Sequence, residues 1–110
     1  MSGRFDVRLT AAAEQDLADI VEYVAAHGSE RAAAALLDEI LDCVSKLETH
    51  PARGAIPSEL APLGITDYRQ VRLGRYRLIY RLYDAAVVVM VVADSRRDMQ
   101  ALLERRLLED

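Results

Sequence analysis

Arginine is the residue whose placement first suggests chemistry. Arg75, Arg77 and Arg81 run through a segment that also contains Tyr76, Leu78, Tyr80 and Leu82. Successive side chains of a strand point to opposite faces, so this segment has one apolar face. Its other face carries Arg75, Arg77, Arg81 and Tyr83, with Ile79 among them. Two residues along a strand span about 6.6–7 Å, which sets the guanidinium groups in a row on that scale. Arg69 or Arg72 on the preceding run, and Arg96 and Arg97 beyond the next one, can converge on the same area. Like charges at this spacing repel, although each exposed charge interaction is worth only about 1 kcal/mol or less. Two readings follow: a solvated face paired with the chain's own acids, or a site for a phosphate backbone or an acidic peptide.

The remaining reactive residue types form no comparable pattern. In Ser95-Arg96-Arg97-Asp98, Asp98 is placed to cap a following helix, which leaves Arg97 as the site residue. Tyr68 and Tyr83 are candidates for stacking, whereas Tyr76 and Tyr80 fall on the apolar face and read as core. His27 and His50 stand at helix ends with no nucleophile or carboxylate at a catalytic spacing, and read as dipole partners or plain surface. Cys43 is alone and reads as a small buried hydrophobe. No metal site and no cofactor is expected. Asp16, Asp19, Glu22, Asp38, Glu39 and Asp42 read as a solvated helical face.

The elements that must position the arginines follow from periodicity. Phe5, Val7 and Leu9 alternate with polar residues as in a short half-buried strand. Thr10 can cap a helix over about 11–27 whose stripe is Ala13, Leu17, Ile20, Val21 and Val24, with Gly28 at the position of a left-handed C-terminal residue. Ser29 opens a second helix over about 30–48, striped by Ala33, Leu36, Leu37, Ile40, Leu41, Val44 and Leu47. So short a link between two helices forces an antiparallel hairpin. Residues 51–67, with three prolines and two glycines, form a loop that is either functional or mobile. Strands over 68–73 and from Tyr76 turn at Gly74. Val87–Val92 is a continuous apolar run, as in a central strand covered on both faces, and an amphipathic helix starts near 98. The order β-αα-βββ-α predicts an α+β domain, a helical hairpin on one face of a small, mainly antiparallel sheet with a short C-terminal helix.

With 110 residues, 52% of them hydrophobic and 29% charged, the chain fills one domain, 1–110. Its longest apolar run, Ala85–Ala93, falls far short of the roughly 18–20 residues that cross a bilayer, and MSGRFDVRLT lacks the apolar centre of a secretory signal. A cytoplasmic location and no membrane partner are expected. The net charge of -4 hides a division. Residues 14–48 hold nine acids against Arg31 and Lys46, a balance of -7, while residues 69–97 hold seven arginines against Asp84 and Asp94, a balance of +5. There are thirteen arginines and one lysine, a bias that suits bidentate contacts to carboxylate or phosphate and that high-GC coding also produces.

The run YRQVRLGRYRLIYRLYDAAVVVMVVADSRRD, residues 68–98, resembles the C-terminal half of the RelE/ParE toxin superfamily of type II toxin-antitoxin systems. FDVRLTAAAEQDLADIVEYV resembles its first strand and helix, so the resemblance covers nearly the whole chain. It implies one of two activities: RelE-like members are ribosome-dependent endoribonucleases that cut mRNA, and ParE-like members block DNA gyrase. The sheet arginine of the ribonuclease branch matches Arg77, and its arginine after the last strand matches Arg97. Of its two basic residues on the first hairpin strand one matches Arg72, but Gln70 stands at the other, and Leu103 stands where its C-terminal tyrosine would be. Arginine stays protonated near neutral pH, so no agent of proton transfer is evident. The acidic balance and two long hairpin helices also favour the ParE-like branch. The resemblance therefore implies a gyrase-directed toxin bound by a cognate antitoxin, ParD-like or other, that covers the basic sheet face and adjoining groove, with ribosome and mRNA as the alternative target. Arg69, Arg72, Arg75, Arg77, Arg81, Tyr83, Arg96 and Arg97 are the expected contact residues.

Overall fold

The computed structural model describes residues 4–109. Its elements are β1 (Asp6–Leu9), α1 (Ala11–His27), α2 (Glu30–Ser45), β2 (Tyr68–Leu73), β3 (Tyr76–Leu82), β4 (Ala86–Asp94) and α3 (Met99–Leu103), the expected α+β order. A 3-10 turn, Lys46–Glu48, prolongs α2, and a π-type turn, Glu104–Leu108, prolongs α3. The sheet runs β1-β4-β3-β2; β1 is parallel to β4 and the other pairs are antiparallel. No helix among the described residues is long and apolar enough to cross a membrane.

Local chemistry accounts for the helix boundaries. Thr10 Oγ1 accepts from the Ala13 N–H and Ser29 Oγ from the Ala32 N–H, each at 3.0 Å, satisfying donors that an open first turn leaves free. Gly28 closes α1 through its N–H to the Val24 carbonyl, but at φ -122 it is not the expected left-handed residue. The chain must pass at once into extended Ser29, the cap of α2, and that reversal sets the Gly28 backbone instead.

The sheet is covered on both faces. Leu17, Ile40, Val44 and Leu47 of the hairpin segment pack with Val71, Leu78, Tyr80, Val87, Val89 and Val92 on one side. On the other side Met99, Leu102 and Leu103, with Leu60 of the long loop, close over Tyr68, Ile79, Val91 and Ala93. This second core corrects the expectation of an open basic face in the middle of the sheet, solvated or binding. Ile79 was the residue out of place on that face, and it is the buried centre of the second core. A β-bulge lies between the two halves of β4: Tyr80 pairs with Val89 and Ile79 with Val91, leaving Met90 unpaired. The extra residue reverses the alternation, so Val87 and Val89 share a face with Val92, and Val91 turns to the other.

Residues 51–67 are tied down rather than loose. The buried Tyr80 hydroxyl donates to the Pro51 carbonyl at 2.6 Å and accepts from the Gly54 N–H at 3.0 Å. Burial pushes the phenol's pKa up, which keeps it a donor. A Cβ on Gly54 would collide with the Gln70 carbonyl and crowd the Tyr80 hydroxyl, so only glycine allows this approach.

Candidate functional site

The expected row of guanidinium groups is divided into three places. Arg77 points into the second core and is 2% exposed, so its charge needs a counter-ion beside it. Glu59 of the long loop supplies one: its two carboxylate oxygens accept from the Arg77 fork at 2.9 and 2.8 Å. Arg77 Nε donates to Gln70 Oε1 at 2.6 Å, which fixes the plane of the fork. Hydrogen bonding from Arg77 holds the Glu59 carboxyl below its ordinary pKa, and Arg72 adds a longer-range attraction. Arg77 is thus a buried structural cation and not part of an open basic face.

Arg75 and Arg96 meet at Asp94, the last residue of β4. Arg96 approaches its carboxylate at 2.8 Å and Arg75 at 3.3 Å, and the Arg96 backbone N–H adds a bond of 2.9 Å. Arg96 first, then Arg75, holds the Asp94 carboxyl below its ordinary pKa. The Arg75 guanidinium also lies 5.4 Å from the centre of the Tyr76 ring. At the opposite end of the strands Arg81 lies 5.6 Å from the Tyr68 ring and 5.2 Å from the Tyr83 ring. Tyr83 is exposed, but Tyr68 is buried in the second core and its face is not open for stacking.

The other expected residues are scattered. Arg69 donates to the Ala52 and Gly54 carbonyls and so braces the long loop. Arg72 and Arg97 are exposed and form no salt bridge among the described residues. Asp98 caps α3 through the Ala101 N–H at 3.1 Å, as read from the sequence. Cys43 is buried, and burial raises its thiol pKa. His27 stacks on Tyr23 with its Nδ1 3.0 Å from the Tyr23 carbonyl oxygen, a helix-end contact. No group of His, Cys, Asp and Glu among the described residues could hold a metal ion.

Beside the Asp94 cluster lies an open, largely apolar cavity. A cavity of about 190 Å³ is walled by Ile20, Tyr23, Tyr76 and the Arg75–Asp94 pair. It shares Arg75 and Tyr76 with a second, of about 310 Å³, floored by Val24, Leu36 and Leu73. Together they make a groove along the seam between the hairpin and the β2–β3 turn. Tyr23, 56% exposed and stacked on His27, is its aromatic wall. The resemblance implied a groove adjoining the sheet, but its walls were not named, because no one-dimensional period brings Tyr23 next to Tyr76. Sequence reasoning also missed Glu59, Asp16 and Arg106. For Glu59 a signal existed, since an arginine sharing a face with Ile79 needs a buried carboxylate.

Three comparisons set the chain among known proteins. The family model for the ParE toxin of type II toxin-antitoxin systems, parDE, matches residues 7–99. A chain of the chromosomal ParDE toxin-antitoxin system of P. aeruginosa superposes with a TM-score of 0.69 at 17% identity, covering 84% of this chain and 98% of that one. A chain of the toxin-antitoxin complex RelBE2 of Mycobacterium tuberculosis superposes with a TM-score of 0.61 at 24% identity, covering 86% and 94%. These two likenesses establish the shared fold. No curated protein matches the chain significantly in sequence.

Proposed function

Because the chain belongs to the ParE toxin family of type II toxin-antitoxin systems, we propose that it acts by binding rather than turnover, inhibiting DNA gyrase until a cognate antitoxin neutralises it. The observation that carries this reading is the state of Arg77. A ribonuclease of this fold would present that arginine to a scissile phosphate, yet here both arms of its fork are held by Glu59, its Nε by Gln70, and the group is 2% exposed. Leu103, where that branch has a tyrosine, is fully buried in the second core.

The antitoxin's place in this reading is the groove. An amphipathic segment can set apolar side chains against Ile20, Tyr23 and Tyr76, while its acids meet Arg75 and Arg96, the two arginines on the cavity's Asp94. The exposed Tyr83 and the half-buried Arg81 at the far end of the strands remain for the target. Expression of the toxin alone tests the assignment. Induced DNA breaks and filamentation with translation intact are expected; prompt arrest of translation with mRNA cleavage would overturn it in favour of the ribosomal alternative.

A further inference from the structure

Arg106 stands where the stripe of the C-terminal helix calls for an apolar residue. Met99, Leu102 and Leu103 are buried, and the spacing i, i+3, i+4, i+7 puts Arg106 on their side. A charge so placed needs a partner beside it. Both arms of its fork reach Asp16 of α1, at 2.9 and 3.0 Å, and one of them also donates to the Met90 carbonyl at 2.9 Å. Met90 is the unpaired residue of the β4 bulge, and Arg106 supplies its carbonyl with a donor. Asp16 in turn accepts from the Val92 N–H at 3.0 Å. Among the described residues the Asp16–Val92 bond is the one hydrogen bond from the body of α1 to the sheet. The two charged side chains are 15% and 20% exposed, so water screens them less than it screens a surface pair. The sequence placed Asp16 on a solvated helical face; the structure places it where α1, β4 and the C-terminal turn meet.

The groove begins just beyond that junction. Ile20 and Tyr23 follow Asp16 at i+4 and i+7 on one side of α1, about 6 and 10.5 Å further along its axis. Asp94 follows Val92 by two residues on the same face of β4, and its register partner across the sheet is Tyr76. The two walls of the groove are therefore continuations of the two elements that Asp16 joins. We propose that Asp16 and Arg106 are a positioning pair for the groove. The Asp16–Val92 bond sets how closely α1 approaches β4, and with it the gap between Ile20 and Tyr23 on one side and Tyr76 and Asp94 on the other. Arg106 holds the Asp16 carboxylate in the orientation that this bond requires. The proposal rests on the reading of the groove as the antitoxin's place. Three features support it. The α1 wall is thinly packed, with Tyr23 exposed and Ile20 only half-buried, so apolar contact alone does not fix it. Asp16 Oδ2 serves both Val92 and Arg106, so loss of Arg106 frees the carboxylate to turn about its broad second torsion. Neither Asp16 nor Arg106 lines either cavity of the groove, so any effect of Arg106 on what binds there travels through α1 and β4.

The test is a double-mutant cycle on the full chain, with the antitoxin taken as the product of the reading frame adjoining the toxin's own. In the free toxin Arg106→Met should shift the ring resonances of Tyr23 and Tyr76, while the Tyr80 ring keeps its wild-type signals. Antitoxin binding should weaken by roughly twofold to thirtyfold, the range of couplings between distant residues. In a Tyr23→Ala background the further loss from Arg106→Met should largely disappear, because the wall that it positions is gone. An arginine with a merely structural role would instead give losses that add. Arg106→Lys keeps the charge but has one amine for both Asp16 and Met90; its binding should fall between wild type and Arg106→Met, and it carries the cycle if the methionine variant fails to fold. Additive losses, or a folded Arg106→Met chain that binds within about twofold of wild type, overturn the positioning pair and leave the groove reading standing. Wild-type binding by Tyr23→Ala overturns the groove reading, and the positioning pair with it.

Discussion

The Glu59–Arg77 pair is where structural and catalytic accounts of the arginines part most sharply, and Glu59→Gln separates them. The substitution keeps the size and one acceptor oxygen but removes the charge opposite a guanidinium whose side chain is 3% exposed. Breaking one partner of a buried pair costs about 3–5 kcal/mol, since the other charge is left uncompensated. Glu59 is 18% exposed, so water can reach its side of the pair, and the lower end, about 3 kcal/mol, is expected. For a domain of this size that lowers Tm by about 12 °C or more. Urea unfolding should show a lower midpoint with an unchanged slope, because the same surface is exposed on unfolding. The double variant Glu59→Leu with Arg77→Met should recover much of the loss, the sign of a pair that works as a unit. The pH dependence has a fixed direction. The folded pKa of Glu59 lies below its ordinary value of 4.5, so the pair's contribution is fully present above 4.5 and is lost as pH falls through the folded value. The gap between wild type and Glu59→Gln should therefore close in acid. If Glu59→Gln unfolds within about 0.5 kcal/mol of wild type, as neutral surface changes do, the pair is not a structural element. If in addition Arg77→Met folds normally and abolishes toxicity, Arg77 is a contact or catalytic residue and the binding mechanism proposed here is wrong.

Other predictions concern the loop and the groove. Tyr80→Phe leaves the Gly54 N–H without its partner and should cost about 1–3 kcal/mol in urea unfolding; Gly54→Ala, which forces a collision with the Gln70 carbonyl, should cost about as much. Asp94→Asn releases Arg75 and Arg96 from their shared carboxylate. Association with an acidic antitoxin should then become faster and more steeply salt-dependent, measured by stopped flow across ionic strengths; an unchanged salt slope would remove the Asp94 cluster from the interface. Tyr23→Ala deletes the exposed wall of the groove and should weaken antitoxin binding by about 2 kcal/mol in titration calorimetry, with little change in Tm.

Much of this fold was legible because local signals and long-range packing agree in it. The caps Thr10, Ser29 and Asp98, the hairpin stripe and the period-two run of β3 each state in sequence what the structure repeats. That the last strand would be covered on both faces was expected from its apolar run, but that the arginine-bearing face of β3 joins this second core was not legible, for two physical reasons. The run from Val87 to Val92 is apolar at every position, so it carries no alternation from which the bulge at Met90 could be read. And a charged residue at a face position looks solvated until its partner is known. Arg77 and Arg81 share the parity of a basic face, but Glu59, 18 residues upstream in a loop without periodicity, decides that the first is interior. Likewise Asp16 has the spacing of a surface acid, and its partner Arg106 is 90 residues away.

The charge division of the chain changes meaning once these pairs are in place. The arginine-rich segment seemed to offer a basic surface in the middle of the sheet. Both faces of the sheet are instead occupied, one by the helical hairpin and the other by α3 and Leu60, so no macromolecule can be read by the sheet's face without first removing a core. What remains open is peripheral: the groove beside the Asp94 cluster, the Arg81–Tyr83 end of the strands, and the exposed Arg72 and Arg97. The first of these is neutralised by a carboxylate of the chain itself, Asp94. A partner that competes for that carboxylate's arginines, Arg75 and Arg96, is favoured by its own acids. A segment that carries acids beside apolar side chains, as proposed for the antitoxin, meets that requirement at the groove, where the apolar side chains face Ile20, Tyr23 and Tyr76.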